Sequence, residues 1–270
     1  VRCLSGAGGA ALALCLGIRG AVYHLSAGSI SSTAAIGEAA RRIARGEADA
    51  IITGGGEATL HPAIIGTFQS AGLLAPDGVC RPFDTERSGT VLGEGAAAVV
   101  LEAAECARRR GARPRAVLAG FGTSSEVYDM TAPDPRGTGI AEAAGAALAE
   151  SGLEEVGWIK AHGTGTVAGD AAEAAGLAEL FGPALRRMPL TSLKPTLGHC
   201  LGASGAVETV AAVLALTHEL VPGTLGTQTV DPALPPCRVQ LRPGTAARPS
   251  VLLLSEGFGS RASALVIRAG

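Results

Sequence analysis

Short apolar runs rich in Val, Ile and Leu alternate along this chain with longer alanine-rich segments that have helical spacing. The short runs are typical of strands, and they cover residues 48–53, 96–102, 116–119 and 156–161. The longer segments predict helices at residues 30–45, 62–71, 139–151, 170–181 and 204–220. This alternation predicts an α/β fold whose strands are buried on both faces.

The two ends of the chain add further expectations. Residues 7–18 are apolar but too short to span a bilayer and lack a preceding basic region, so they predict a core helix and no membrane span. Residues 20–25 predict a strand. The apolar runs 251–255 and 263–267 flank Gly257-Phe258-Gly259 and predict a closing hairpin-like pair.

Composition narrows the range of functions. The 270 residues are 47% hydrophobic, which supplies ample material for the core of a soluble globular protein. The net charge is −2 and no basic stripe is present, so no nucleic-acid partner is expected. Six cysteines lie far apart without a CxxC pair, which indicates free thiols in a reducing cytoplasm.

Ser29 lies between the strand-like run at residues 20–25 and the helix predicted from residue 30. Backbone N–H groups and the helix dipole favour negative charge at such a junction. Two interpretations are open from this segment alone: Ser29 is a nucleophile, or it is an N-cap that satisfies backbone donors. The same position would acidify a cysteine more usefully than a serine.

Two glycine-rich segments each carry a histidine. AHGTGTVAGD contains His162, and SLKPTLGH contains Lys194 and His199. Each histidine follows a strand-like run and precedes a helix, where loops at a sheet edge converge on a ligand. A single histidine there is often structural, but two beside glycines that let a backbone approach a substrate indicate a site.

Together these residues bring out a family resemblance. The chain resembles the β-ketoacyl-acyl carrier protein synthases of the elongating type (ketosynthases), which are condensing enzymes of the thiolase-like superfamily. The resemblance covers the full length through LSAGSISSTAAIGEA, ITGGGEA, CRPFDTERSGTVLGEGAAAVVLE, MTAPDP, KAHGTGTVAGDAAEA, SLKPTLGHCLGASGAVE and EGFGS. It implies a thiolase-like layered α-β-α-β-α architecture.

The resemblance also implies a reaction: the acyl group of an acyl-carrier protein thioester passes to the nucleophile and is condensed with malonyl-carrier protein, with loss of carbon dioxide, in fatty-acid or polyketide biosynthesis. His162 and His199 would donate hydrogen bonds to the thioester carbonyl and stabilise its developing charge. Lys194 would orient and tune the two histidines, tied to Glu173 of GDAAE. Alternatively, Lys194 and Glu173 form only a supporting ion pair.

Other site residues follow from the same motifs. Thr164 and Thr166 are implied to contact the phosphopantetheine arm of the carrier protein. Phe258 is implied to gate the acyl pocket, with an ordinary core position as the alternative. Glu94 and Asp170 are implied to support the site rather than to act as acid or base.

Organisation and partners complete the implied picture. Residues 1–106 would be the remainder of the N-terminal thiolase-like half and residues 115–270 the C-terminal half, with a hinge at 108–114. The chain begins at Val1 with the nucleophile close to its start, so roughly a third of a family chain is expected to be missing before it. No bound cofactor is expected, because the acyl carrier protein supplies phosphopantetheine, and the second partner is a homologous ketosynthase in a homodimer or heterodimer.

The chain departs from the family at one chemically important position. Aligned to the usual STACS-like pattern, the nucleophilic cysteine falls on Ser29, whereas His162, His199 and Lys194 are retained. A cysteine thiol has a pKa of about 8.5, but a serine hydroxyl needs a base hydrogen-bonded to it. Neither histidine is an obvious base in this family, so acyl loading is expected to be slow or to use an unusual arrangement.

Three functions are therefore open. The leading one is a ketosynthase-like acyltransferase with Ser29 as the acyl acceptor. The second is a malonyl-carrier decarboxylase without condensation, because decarboxylation needs the histidines and no protein nucleophile. The third is a non-catalytic partner subunit of an active ketosynthase, although such subunits typically lose the histidines as well as the cysteine.

Overall fold

A computed structural model describes residues 6–259 and 261–270, and these form two sheets. In the smaller sheet, β1 (Ala50–Glu57) pairs antiparallel with β2 (Gly95–Glu102). The larger sheet contains β3 (Ala116–Ser125), β4 (Trp158–Lys160), β5 (Pro189–Thr191), β6 (Arg238–Val239), β7 (Ser250–Gly257) and β8 (Arg261–Ala269). Its strand order is β3-β8-β7-β4-β5-β6, with antiparallel pairing from β3 to β7 and parallel pairing from β7 to β6.

The helices that the structure describes are α1 (Ala7–Leu16), α2 (Ser31–Ala44), α3 (Pro62–Ser70), α4 (Ala104–Arg109), α5 (Thr138–Ser151), α6 (Val167–Phe181), α7 (Lys194–Leu197) and α8 (Ser204–Thr217). Their boundaries follow local chemistry. Pro62 occupies the first turn of α3, and His61 caps it by accepting a hydrogen bond from the Ala63 N–H. Gly152 ends α5 in the left-handed conformation that glycine adopts without strain.

The elements stack in layers. α2 and α8 contact strands of both sheets. α5 covers the opposite face of the larger sheet, and α6 packs against α5 and contributes to the apolar core on that side. One apolar core, which includes Ile140, Leu177 and Leu252, lies on the α5 and α6 side. A second core, which includes Ile36 and Trp158, lies on the α2 and α8 side. The described residues thus stack as strands, helices, strands and helices, in the order of the predicted α/β architecture.

β7 shows why a central strand of the larger sheet is an apolar run in the sequence. Leu252 and Leu254 enter the first core, while Val251 and Leu253 enter the second. Both faces of this strand are therefore buried, as expected for a central strand between helical layers. The same expectation was wrong for β1 and β2, which pair antiparallel and bury only alternate residues in part.

Other predictions at the two ends of the chain divide. The closing hairpin is confirmed by antiparallel pairing of β7 with β8. The strand predicted at residues 20–25 is wrong: these residues are exposed, and no described segment pairs with them. Residues 7–16 are helical as predicted, but α1 is not a core helix, since none of its residues is buried and Leu14 is 85% exposed.

Two sequence-level expectations concern thiols and membranes. Cys15, Cys80, Cys106, Cys200 and Cys237 are free thiols, and Cys3 lies outside the described residues. Within the described ranges, no helix has the length and apolar character needed to cross a membrane.

Candidate active site

The turn before α2 presents Ser29. Gly28 takes a positive φ of 64°, and Ser31 Oγ accepts a hydrogen bond from the Ala27 N–H and donates one to the Gly28 carbonyl. Ser29 is half-buried and lies two residues before the first residue of α2. Ile30, not Ser29, occupies the N-cap position, and no side chain caps this helix. The cap interpretation of Ser29 is therefore wrong.

His199 reaches Ser29 directly. Ser29 Oγ lies 3.1 Å from His199 Nε2, and the other ring nitrogen, Nδ1, lies 3.1 Å from Ser204 Oγ. If Nδ1 carries the ring proton and donates a hydrogen bond to Ser204 Oγ, then Nε2 has a free lone pair that can accept the Ser29 hydroxyl proton. The contact therefore places a histidine within hydrogen-bond distance of Ser29, where the sequence alone offered no obvious base.

The backbone around His199 is held by a neighbouring extended segment. The His199 N–H donates to the Val91 carbonyl at 2.7 Å, and the Gly93 N–H donates to the His199 carbonyl at 3.0 Å. Gly198 has a φ of 73°, and a Cβ on Gly93 would lie 2.5 Å from the Leu197 carbonyl oxygen. Glycine is needed at both positions because the two backbones touch.

His162 is oriented differently from His199. Its ring lies edge-on to that of His199, with centroids 5.4 Å apart. Lys194 Nζ lies 3.4 Å from His162 Nδ1 and donates to the His162 carbonyl at 2.5 Å. Since an ammonium only donates, Nδ1 is the acceptor and Nε2 carries the proton. His162 is therefore set up as a hydrogen-bond donor to a substrate oxygen.

Behind the histidines lies a buried group of three charges. Glu208 accepts from Lys194 Nζ at 2.9 Å through Oε1 and from Lys160 Nζ at 2.5 Å through Oε2. Lys160 also donates to the Leu254 carbonyl at 2.6 Å. All three side chains are almost completely buried. The carboxylate tied to Lys194 is thus Glu208, which corrects the expected tie to Glu173.

Glu173 and Asp170 instead hold the backbone of the histidine loop. Glu173 accepts from the N–H groups of His162 and Gly163 at 2.6 and 2.8 Å. Asp170 accepts from the Gly165 N–H at 3.0 Å and from the Phe83 N–H at 2.6 Å. Both carboxyl groups lie on α6, one turn apart, so the helix fixes the loop that precedes it.

Burial dominates the electrostatics of the site. It lowers the pKa of His162 and of His199 well below the usual value, and the neighbouring charge of Lys194 lowers both further. Burial raises the pKa of Glu173, and it raises that of Asp170 to about 7. For Glu208, burial is outweighed by the charges of the two lysines, so its pKa is lowered. Both histidines are therefore neutral at neutral pH.

One cavity of about 260 Å³ joins these groups. Ser29, His162 and His199 line it together. Its other lining residues are Phe68, Leu73, Thr90, Thr131, Ala132, Pro133, Thr164, Thr166, Ala168, Gly169, Glu256, Gly257 and Phe258. The sequence-predicted substrate contacts are therefore brought to the same cavity as the nucleophile and the histidines.

Three of the cavity-lining residues, Thr164, Thr166 and Phe258, make contacts with neighbouring side chains. Thr164 and Thr166 share a hydrogen bond between their hydroxyl groups at 2.9 Å, and Thr166 also caps α6 through the Gly169 N–H. Phe258 is 47% exposed and its ring centroid lies 6.2 Å from that of Phe68, so the core alternative for Phe258 is wrong. Ser260, the next position after this loop, lies outside the described residues.

Glu94 and Asp129 organise loops rather than line the cavity. Glu94 accepts from the Leu60 N–H at 2.8 Å and so fixes the entry to α3, the helix that carries Phe68. Asp129 accepts from the N–H groups of Thr131 and Ala132, and these bonds lower its pKa. Its turn therefore shapes the wall of the cavity at Thr131 and Ala132.

Sequence reasoning missed four residues that matter to this geometry: Lys160, Ser204, Glu208 and Glu256. A signal was present for two of them. Lys160 is the single charge in the apolar strand segment WIKA, and Glu208 is the single charge in the helical segment AVETVAAV. A charge inside a buried element requires a partner, so the two could have been matched to each other.

Among the described residues, no group of three or more His, Cys, Asp or Glu side chains is placed to hold a metal ion.

Two family models match the two halves of the chain. Residues 1–107 match the family model "Beta-ketoacyl synthase, N-terminal domain", and residues 115–228 match "Beta-ketoacyl synthase, C-terminal domain". The chain belongs to the β-ketoacyl synthase family. Its predicted resemblance to ketosynthases is confirmed.

A curated relative from Staphylococcus aureus resembles this ketosynthase-family chain over most of its residues. It is 38% identical over 247 residues to 3-oxoacyl-[acyl-carrier-protein] synthase 2 of Staphylococcus aureus, covering 88% of this chain and 59% of the relative. It therefore spans about three fifths of the length of that curated relative.

Solved structures share the fold. A type II PKS acyl-carrier protein in complex with its ketosynthase bound to the hexaketide (AntDE:AntF) matches with a TM-score of 0.93 and 31% identity over 98% of this chain and 67% of that chain. The ketosynthase ApeO in complex with its chain length factor ApeC from Xenorhabdus doucetiae matches with a TM-score of 0.90 and 33% identity, covering 99% and 65%. The predicted α/β thiolase-like fold class is thereby confirmed.

Proposed function

We propose that this chain carries the active site of a ketosynthase-type acyltransferase in fatty-acid or polyketide biosynthesis, with Ser29 as the acyl acceptor. The observation that carries the proposal is the 3.1 Å contact between Ser29 Oγ and His199 Nε2, at the wall of a cavity shared with His162. A hydroxyl and a neutral imidazole in hydrogen-bond contact are the two parts of an activated nucleophile.

The first half-reaction uses this pair. Ser29 Oγ attacks the thioester carbon of an acyl-carrier protein while His199 Nε2 takes its proton. The carbon–sulfur bond then breaks, and His199 returns the proton to the departing phosphopantetheine thiolate. His162, protonated at Nε2, donates a hydrogen bond to the carbonyl oxygen as it becomes negative.

The second half-reaction requires both histidines as donors, so in the acylated protein His199 takes its other neutral tautomer, with the proton on Nε2 and Nδ1 accepting from Ser204 Oγ. Malonyl-carrier protein would bind with its thioester oxygen facing His162 and His199, and loss of carbon dioxide would leave an enolate stabilised by their hydrogen bonds. The carbanion then attacks the Ser29 ester, the bond to Oγ breaks, and the serine oxygen takes a proton from solvent. Thr164 and Thr166, on the same cavity wall, would contact the phosphopantetheine arm that the carrier protein supplies.

Two relatives support the choice of partners. The AntDE:AntF structure is described as an acyl-carrier protein with its ketosynthase, and the ApeO–ApeC structure as a ketosynthase with its chain length factor. We infer that the present protein takes an acyl-carrier protein as substrate and pairs with a second ketosynthase-like chain. The second chain is either an identical copy, which gives a homodimer, or a homologous ketosynthase, which gives a heterodimer.

Mass spectrometry of the full-length protein tests the nucleophile. After incubation with an acyl-carrier protein that bears a saturated acyl chain, the Ser29 peptide is expected to gain the mass of the acyl group. Ser29→Cys should load faster, because a thiol is the better nucleophile in this position, and Ser29→Ala should not load. An unmodified Ser29 peptide under conditions that load Ser29→Cys contradicts the proposal.

A second candidate is decarboxylation of malonyl-carrier protein without condensation. The observation that favours it is that His162 and His199 line the cavity and contact Lys194 or Ser204 independently of Ser29. It predicts carbon dioxide release that is unchanged in Ser29→Ala and lost in His199→Ala. Absence of release from malonyl-carrier protein in the unmodified protein rules it out.

A further inference from the structure

An acidic side chain, that of Glu256, forms part of the wall of the candidate acyl cavity. It follows Leu254 on the face of β7 that turns toward α6, and its register partner on β8 is the small residue Ala262. The opposite face of the strand meets α2, through the Ser255 contact with Thr33. Glu256 therefore lines the cavity on the α6 side, together with Ala168 and Gly169.

The carboxyl group of Glu256 lacks a partner. Within residues 6–259 and 261–270 it makes no hydrogen bond and no ion pair, although it is half-buried. Other acidic groups of the site are bonded to the backbone or to lysines, as Glu173 and Glu208 are. Its position in the cavity lining leaves this carboxyl group available to bond a molecule that occupies the cavity.

The surroundings of Glu256 favour a neutral carboxyl group. Burial raises its pKa well above the usual value, and the nearby charges of Glu173 and Glu126 raise it further. A protonated carboxyl group has one donor and free acceptor positions. It therefore matches a hydroxyl or oxo oxygen better than a plain hydrocarbon segment or a carboxylate.

We propose that Glu256 is a specificity-determining residue that hydrogen-bonds a hydroxyl or oxo group on the acyl chain, so that the cavity selects oxygenated acyl thioesters over saturated ones. This inference rests on the proposed function of the cavity. Hydrogen-bonding sites discriminate strongly against analogues that lack the bonded oxygen, because the protein group is then left unpaired. The apolar wall formed by Phe68, Leu73 and Phe258 would hold the rest of the chain.

Equilibrium binding tests this assignment separately from acyl transfer. In a full-length Ser29→Ala background, which prevents loading, dissociation constants are measured by calorimetry for hexanoyl-pantetheine and β-hydroxyhexanoyl-pantetheine. With Glu256 present, the hydroxylated thioester is expected to bind about tenfold more tightly, the typical effect of one hydrogen bond. Glu256→Gln, which keeps the shape and hydrogen-bonding capacity, should retain the preference, and Glu256→Leu should abolish it.

Three results would overturn the assignment: equal binding of both thioesters with Glu256 present, the same preference in Glu256→Leu, or binding of neither. Circular dichroism of the Gln and Leu variants checks that both are folded. Should the preference depend on Glu256 while Ser29 is never acylated in the mass-spectrometric experiment, only the acyl-transfer function fails and the specificity assignment stands.

Discussion

At the scale of single residues, one contact changes the chemistry expected of Ser29. Its motif places it at the position of a cysteine, and from sequence alone no base was assigned to it. The fold brings His199 within 3.1 Å and Ser204 to the far side of the imidazole. A sequence pattern identifies the residue types, but it does not show which ring nitrogen faces which hydroxyl.

Ser204 is expected to act as a positioning residue for His199. Ser204→Ala removes the group beside Nδ1 and should slow acylation of Ser29 by about tenfold to a hundredfold, the range typical for loss of a group that orients a metal-bound histidine. The rate constant should fall while KM stays the same, because Ser204 does not line the cavity. Recovery in Ser204→Thr would show that the hydroxyl is what matters. Equal loss in both variants would indicate a packing role instead.

Lys160 is expected to set the pH range of the site. The pKa values of His162 and His199 are lowered by burial and by Lys194, and Lys160 lowers them further. A lower pKa keeps a histidine neutral, and able to act as a base, into more acidic solution. Lys160→Met should therefore move the acidic limb of the acylation rate profile to higher pH. Arg238→Met, which removes an exposed cation, is the control, and an unmoved limb in Lys160→Met contradicts the prediction.

At the scale of elements, the contact between α5 and α6 shows what sequence periodicity misses. Both helices were predicted from their spacing, and α6 carries Asp170 and Glu173. Their close approach depends on glycines: a Cβ on Gly137 would lie 2.0 Å from the Ala172 carbonyl oxygen, and one on Gly176 would lie 2.2 Å from that of Gly137. No local pattern distinguishes such a glycine from one in an open turn.

Gly137 and Gly152, at the two ends of α5, offer a matched comparison. Both have positive φ, but only Gly137 is crowded, since nothing lies within 4 Å of a Cβ on Gly152. Gly152→Ala should lower the free energy of unfolding by about 1 kcal/mol through backbone strain alone. Gly137→Ala should cost about 3 kcal/mol because overpacking adds to that strain. Urea unfolding measures both, and equal losses would show that the helix contact accommodates the methyl group.

The strands were harder to predict than the helices. Long helices repeat their pattern over several turns, so α2, α5, α6 and α8 were all placed within a few residues. β5 was indicated only as a strand-like run without bounds before the His199 segment, and β6 was missed, because runs of three and two residues have no detectable period. Residues 20–25 have the composition of a strand, but a strand also needs a neighbour, and no described segment pairs with them.

At the scale of the whole molecule, motif order carried most of the correct information. It identified the family and fold class, and it named Ser29, His162 and His199, which share one cavity. It did not reveal the ion-pair partner of Lys194, because pairing depends on which buried charges the fold brings together. The division at residues 106 and 115 and the cytoplasmic location stay predictions.

Exposure on α1 contrasts with burial in the central sheet. Leu14 is 85% exposed and Leu252 is fully buried in the larger sheet. For this 270-residue chain, Leu14→Ser is expected to change the free energy of unfolding by less than about 0.5 kcal/mol. Leu252→Ala should cost about 2–5 kcal/mol through the cavity it creates. Chemical denaturation compares the two, and a large loss in Leu14→Ser would show that α1 packs more closely than its exposure indicates.

The backbone contact between Gly93 and Gly198 has a consequence for recombination between homologues. The segment that carries His199 fits only against a partner segment that leaves no room for a Cβ. A chimera with a crossover between these two glycines inherits them from different parents and succeeds only when both parents keep glycine there. Crossovers that move the two segments as one block preserve the histidine, and the permitted breakpoints in a shuffled library should be distributed accordingly.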